Sequence, residues 1–265
     1  MTEKNILLKI AYDGSGFHGW QRQAEGVRTV QGTLEERLSQ LCGVPVQLEG
    51  TSRTDAGVHA LGQCATLRGN FGIPTERIPT AANNLLAGVV ILNAEEKPND
   101  FHARFSATGK KYTYKYAILP AIHVLTPTSV FIRNYACLLA ERPNTDKITE
   151  AAKYLVGTQD FASFQAAGGT PRETTIRTIT SVNIREGSNK DPAGNVYETL
   201  EIEVTGDGFL YNMVRIIAGT LAAVGTGAIL PGEMEKIIGG KNRAMAGPTA
   251  PPQGLYLKEV YFDKF

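Results

Sequence analysis

An arginine, a carboxylate and an imidazole are packed into Gly50-Thr51-Ser52-Arg53-Thr54-Asp55-Ala56-Gly57-Val58-His59-Ala60, a Gly-bounded stretch between two strand patterns. Loops of this kind carry function more often than cores do. One chemistry open to it is hydrolysis, with Asp55 and His59 as an acid–base pair. No serine or cysteine nucleophile stands in matching context, and no carboxylate cluster suits metal ions. The structural alternative is an Asx-turn, in which Asp55 caps its own backbone, Arg53 is a solvated charge and His59 is an ordinary half-buried side chain.

Three further features bear on chemistry. Between Asp207 and Glu233 the only charged residue is Arg215, set in the helical run Tyr211 to Leu221. A guanidinium in apolar surroundings is costly unless paired, so Arg215 is expected to meet a carboxylate, with Asp207 and Asp55 as candidates; otherwise it snorkels to solvent along its own stem. From Phe101 to Ala140 there is no acidic residue, while Arg104, Lys110, Lys111, Lys115 and Arg133 are present and lysines alternate with Tyr112, Tyr114 and Tyr116. Cations with aromatic faces suit flipped or single-stranded bases, whereas a half-buried strand with core tyrosines is the plainer alternative. The loop Asp13 to Gln23 holds the only tryptophan, Trp20, beside His18 and Arg22. It fits no phosphate-cradling glycine pattern. It reads as a floppy aromatic loop that grips RNA, or as a plug in which Trp20 fills a core.

The elements that must position these groups are legible as periodicities. Ile6, Leu8, Ile10 and Tyr12 alternate as a strand that ends in a mobile Asp13-Gly14-Ser15-Gly16 turn. Leu34, Leu38 and Leu41 have helical spacing after Thr29, with Gly43 as the stop. A short strand over Val44 to Leu48 is limited by Pro45, and a longer one runs from Val58 to Leu67. A helical stretch near Ile78 to Leu86 and an apolar run Val89 to Leu92 complete the first half. The second half repeats the mixture. Strands are expected at Tyr112 to Ile118, Ile176 to Ile184 and Leu200 to Val204, and helices around Ile148 to Leu155 and Val214 to Leu221. A closing strand is expected at Leu255 to Phe262. Ala166 to Glu173 and Glu186 to Asn195 are Gly- and polar-rich and read as loops. Two α+β halves of split βαβ type follow, divided near residues 100 to 110: residues 1–105 with Asp55, and 106–265 with Tyr112 and Arg215.

Composition bounds the partners. With 27 basic and 26 acidic residues the net charge is +1, so any RNA site is local and calls for a concentrated basic patch. Three scattered cysteines argue against a disulfide framework and against paired zinc ligands, and fit a reducing cytoplasm. Neither a signal peptide nor a membrane-spanning stretch is supported.

The run Arg53-Thr54-Asp55-Ala56-Gly57-Val58-His59-Ala60 closely resembles the active-site signature of the TruA family of transfer-RNA pseudouridine synthases. Other family-like segments follow in order: Tyr12-Asp13-Gly14 with Gly19-Trp20-Gln21, Phe101 to Ala107, Lys111-Tyr112, Phe161 to Phe164, Met213-Val214-Arg215 and Ala250 to Leu255. The resemblance spans nearly the whole chain. It implies a pseudouridine synthase fold, with two ferredoxin-like (split βαβ) halves whose antiparallel sheets meet around a central basic cleft. It also implies an isomerase that converts uridine to pseudouridine on the 3′ side of the anticodon arm of transfer RNA, in the cytoplasm, as a homodimer and without a cofactor. By the same resemblance Asp55 is the catalytic carboxylate, Tyr112 stacks on the target uracil, Arg53 helps move the nucleotide out of its stack, and Arg215 is the basic residue paired with the carboxylate. Base flipping would give access to the target atom, and a guanidinium near Asp55 would favour its ionised form. Arg22, Arg104, Lys110 and Lys111 are expected to contact RNA. The alternative is a non-catalytic RNA-binding module of the same fold.

Overall fold

A computed structural model describes residues 3–120, 125–169 and 173–263. The chain divides into two compact units, one formed by residues up to Thr108 together with those from Tyr256 onward, the other by Gly109–Leu255.

The first unit runs β1 (Lys4–Tyr12), α1 (Val30–Cys42), β2 (Leu48–Gly50), β3 (His59–Gly69), α2 (Ile78–Asn83) and β4 (Val89–Glu96). β1 is central, antiparallel to both β3 and β4, and β2 pairs with β3. Ile6, Leu8 and Ile10 are fully buried, as are Leu34 and Leu38 of α1, Leu67 and Ile78. Each such side chain contributes about 1.5–3 kcal/mol, so this face dictates the register. α1 begins and ends as its sequence predicts: the Thr29 hydroxyl accepts from Gly32 N–H, and Gly43 takes the left-handed conformation (φ 69°) at the stop.

The second unit runs β5 (Gly109–Ile118), α3 (Pro127–Ile132), β6 (Cys137–Leu139), α4 (Thr145–Lys153), β7 (Gly157–Asp160), β8 (Ile176–Lys190), β9 (Val196–Gly206), α5 (Met213–Gly225) and α6 (Glu233–Gly239). Its strands lie in the order β5-β9-β8-β7, with β6 parallel to β5 on the other side. Tyr114, Tyr116, Leu200, Ile202, Val204, Ile216 and Ile217 fill its core. The last strand, β10 (Leu255–Tyr261), pairs parallel to β3 through Tyr256 and Leu257, so the closing strand belongs with the first unit rather than with the half that precedes it in sequence. Periodicity along the chain identifies a terminal strand but not the sheet to which it returns.

One expected loop differs from the structure. Glu186 to Asn195 is not a loop: β8 continues to Lys190 and pairs residue by residue with β9, leaving only a tight turn. Most side chains there are exposed, so no apolar alternation marks the strand, and backbone ladder bonds carry it. The turn is held by Asp191, whose carboxylate accepts from Asn195 N–H and from the Thr128 hydroxyl at 2.6 Å. The Thr128 bond is the main cause that holds the Asp191 carboxyl below its ordinary range. In Ala166 to Glu173, residues 170–172 lie outside the described residues, and the described part forms no helix or strand. Among the described residues no helix is long and apolar enough to cross a membrane.

Candidate active site

In the first unit, Asp55 opens a turn closed by Val58 N–H donating to its carbonyl at 3.1 Å, with Gly57 at φ 79° supplying the conformation an L side chain resists. Thr54 and Val58 on either side are buried, while Asp55 is half-buried and Arg53 exposed. The carboxylate is therefore presented from a fixed backbone.

That backbone is braced by the 13–20 segment. The Trp20 N–H donates to the Thr54 carbonyl at 3.0 Å, and the Tyr12 hydroxyl lies 2.7 Å from the Thr54 hydroxyl. Gly19 has φ +87° and comes so close that a Cβ would lie 2.7 Å from the Thr54 carbonyl oxygen; one on Gly14 would lie 2.0 Å from that of Val58. On its other side the segment caps α1, since Val30 and Gln31 donate their N–H groups to the Gly19 and Trp20 carbonyls. Trp20 is 1% exposed and lies over Gly50. Of the two readings of this loop the plug is the one found: Gly14, Phe17, Gly19 and Trp20 form the buried edge of a wedge, while Ser15, Gly16, His18 and residues 21–23 are exposed, and helix-end donors and the Asp55 loop take up its polar backbone groups.

His59 is fully enclosed. Its Nδ1 accepts from Gly14 N–H at 3.1 Å, and its ring stacks on Tyr256 at 4.6 Å. The Asp13 carboxylate is 3.3 Å from the same Nδ1 and accepts from the Ser15 N–H and hydroxyl. The ring is a brace joining strand and wedge, engaged by Gly14, Asp13 and Tyr256. Arg22 is also structural in part: its Nε meets the buried Glu35 carboxylate at 3.0 Å, which in turn accepts from Leu48 N–H. Arg104 is exposed.

In the second unit, hydrogen bonds orient Arg215. Its Nε donates to the Ala250 carbonyl and its Nη1 to the Asn212 side-chain oxygen, each at 2.8 Å, while Ala250 N–H returns a bond to the Arg215 carbonyl. Asn212 stands just before α5 in the left-handed conformation (φ 59°), unusual for a residue with a Cβ, and makes no side-chain cap. It spends its side chain on the guanidinium. Asp207 accepts from Thr178 N–H. Sequence reading singled out Arg215 and missed Asn212; a polar Asn before an apolar helical run signals a cap, not an orienting partner.

Tyr112 is 8% exposed, with its ring edge-to-face against Phe209 at 5.2 Å. Tyr114 and Tyr116 are core residues, so the mixed cation and aromatic surface expected along this strand does not form as one patch. Period-2 alternation sends Lys111 and Lys115 to the opposite face, where Lys115 meets Glu201 at 3.3 Å and Lys111 meets Glu203 at 3.8 Å. Lys110 shares the tyrosine face and is half-buried.

These features define an α+β protein that offers a carboxylate on a braced loop in one unit and an oriented guanidinium in the other. A family model described as tRNA pseudouridine synthase matches residues 9–106 and 151–263. The chain belongs to this family, and its mixed α+β architecture fits the pseudouridine synthase fold. It is 44% identical to tRNA pseudouridine synthase A of Ruminiclostridium cellulolyticum, covering 98% of this chain and 100% of the relative. It is also 44% identical to the protein of that name from Bacillus pumilus (97% and 99%), and 40% identical to tRNA pseudouridine synthase A 2 of Clostridium tetani (98% and 99%). Arg53, Asp55 and Arg215 fall inside the matched segments; Lys110, Lys111 and Tyr112 lie between them.

Proposed function

We propose that this chain isomerises uridine to pseudouridine in the anticodon arm of transfer RNA, with Asp55 as the catalytic carboxylate. The observation that carries the reading is near-full-length identity of 40–44% to proteins bearing the name tRNA pseudouridine synthase A, joined to an Asp55 loop whose backbone is braced from several sides. Nothing favours a non-catalytic module.

The reaction breaks the N1–C1′ bond, turns the uracil while it stays bound, joins C5 to C1′, and moves the C5 proton away while N1 gains one. Atoms and electrons balance within the substrate, so no cofactor is called for. Asp55 acts as the nucleophile that starts glycosidic cleavage. Arg215 is the basic residue of the site, and the bonds it donates to Asn212 and Ala250, which orient it, support this role. Tyr112 stacks on the extruded uracil, supported by its rigid seat against Phe209. Arg53, exposed two residues from Asp55, helps hold the nucleotide out of its stack. Arg22, Arg104, Lys110 and Lys111 contribute phosphate contacts, to which Arg22 and Lys111 come already engaged by Glu35 and Glu203. The two units correspond to ferredoxin-like halves, the first carrying Asp55 and the second Tyr112 and Arg215. The enzyme works as a cytoplasmic homodimer.

The test is Asp55→Asn with a C5-tritiated transfer RNA. Tritium release should vanish while RNA affinity stays close to that of the parent. Turnover persisting in the variant would end the assignment.

A further inference from the structure

Phe105 is 75% exposed, and the turn that carries it is built not to move. Ser106 N–H donates to the His102 carbonyl at 2.8 Å and His102 N–H to the Ser106 hydroxyl at 3.1 Å, closing residues 102–106 on themselves. The His102 ring is fixed at both nitrogens: Nδ1 accepts from Arg104 N–H at 3.0 Å, which leaves Nε2 to donate to Glu49 at 3.1 Å. The Phe105 ring rests on this imidazole with centroids 4.4 Å apart, and the Arg104 guanidinium lies 5.4 Å from its centre. Ala103 is fully buried, and its carbonyl accepts from the Thr51 hydroxyl, while the Thr51 N–H donates to the Cys64 carbonyl at 2.8 Å. Thr51 begins the segment that leads to Asp55, so the turn and the Asp55 loop hang from one residue.

We infer that Phe105 is a stacking platform for an unpaired nucleobase of the RNA, next to the nucleotide on which Asp55 acts. This rests on the functional reading above. A protein partner would need a contiguous apolar patch. Here a single ring is framed by an imidazole, a guanidinium and a serine, which is the pairing of a π-face with a phosphate-seeking cation that single-stranded bases take. The ring is already immobilised on His102, so a base that stacks on it orders little further. Every base has such a face, which suits substrates of differing loop sequence.

The experiment compares Phe105→Ala, Phe105→Leu and Phe105→Trp for binding to an anticodon-arm stem-loop carrying 2-aminopurine at one loop position at a time. Being exposed, the position tolerates all three. Loss of one stacked base predicts roughly 5- to 150-fold weaker binding for Ala. Leu, which keeps apolar area but no π-face, should behave like Ala, and Trp like the parent. The slope of log affinity against log salt should stay unchanged, because no charge is removed. One 2-aminopurine position should be quenched by the parent and not by Phe105→Ala. Parent-like binding by Ala, or full recovery by Leu, would overturn the platform while leaving parent turnover, and hence the functional reading, intact. A parent that neither binds this RNA nor forms pseudouridine would overturn both.

Discussion

Gly19 offers the sharpest test of how the wedge positions Asp55. Replacing it by Ala meets two penalties. The first is conformational: φ +87° costs an alanine about 1–2 kcal/mol, partly offset by about 0.4–1 kcal/mol because Ala also stiffens the unfolded chain. The second is contact, since the new Cβ would stand 2.7 Å from the Thr54 oxygen and 3.2 Å from both Ala56 N and the Asp55 carbonyl carbon. Ordinary contact begins at 3.4 Å, so wedge and loop must part by about 0.7 Å. Both are backbone, and the half-buried Asp55, held between the buried Thr54 and Val58, takes up part of that movement. A displacement approaching 1 Å in a reacting group costs on the order of 100-fold. Gly19→Ala should therefore lower kcat by roughly 10- to 100-fold with KM nearly unchanged, and lower unfolding free energy by about 1–3 kcal/mol.

Gly26 separates the two penalties. Its φ is +84°, yet a Cβ there meets nothing within 4 Å. Gly26→Ala should show only the conformational cost, measured by urea denaturation, and parent turnover in tritium release. Equal turnover of the two variants would refute the claim that the wedge sets the position of the carboxylate.

Asn212→Ala should reduce single-turnover rate by roughly 10- to 150-fold, the scale of one hydrogen bond to a charged group, and Asn212→Asp should restore most of it by keeping an acceptor for Arg215. Asn212→Gly should be more stable than Asn212→Ala by about 1 kcal/mol through relief of positive φ yet equally slow; full activity in the Gly variant would dismiss the orienting role. Burial pushes the Cys64 thiol up to about 12 from an ordinary 9.0. The neutral form is thus favoured in the folded state, and the stability this gives is present below pH 9 and lost as pH rises toward 12, up to roughly 4 kcal/mol. Denaturation of the parent and of Cys64→Ala at pH 8 and pH 11 should show the parent's advantage shrinking; a constant difference would contradict it.

Much of the scaffold could be read before any coordinates. α1 was legible from Thr29 to Gly43 because cap, apolar spacing and stop signal agree, and β1, β5 and β9 because Ile6-Leu8-Ile10, Tyr112-Tyr114-Tyr116 and Leu200-Ile202-Val204 alternate with a period of two. The hairpin beyond Glu186 was not, since backbone bonds carry a strand whose side chains are solvated. The fate of the Trp20 loop was also hidden, because polar, Gly-rich residues look alike whether mobile or wedged against another loop.

From sequence alone came the local chemistry of this protein: a carboxylate in a glycine-flanked turn, a solitary arginine in an apolar helix, and the element order around them. These depend on neighbours within a few residues, which is the range over which caps, turns and periodicity act. Only the tertiary structure decided which long-range contacts hold them: Gly14 and Gly19 pressed on the Asp55 backbone, His59 bonded to a glycine 45 positions away, and Arg215 clamped by an oxygen 35 positions away. Those contacts are set by where buried faces bring distant backbone together, and no spacing along the chain encodes them.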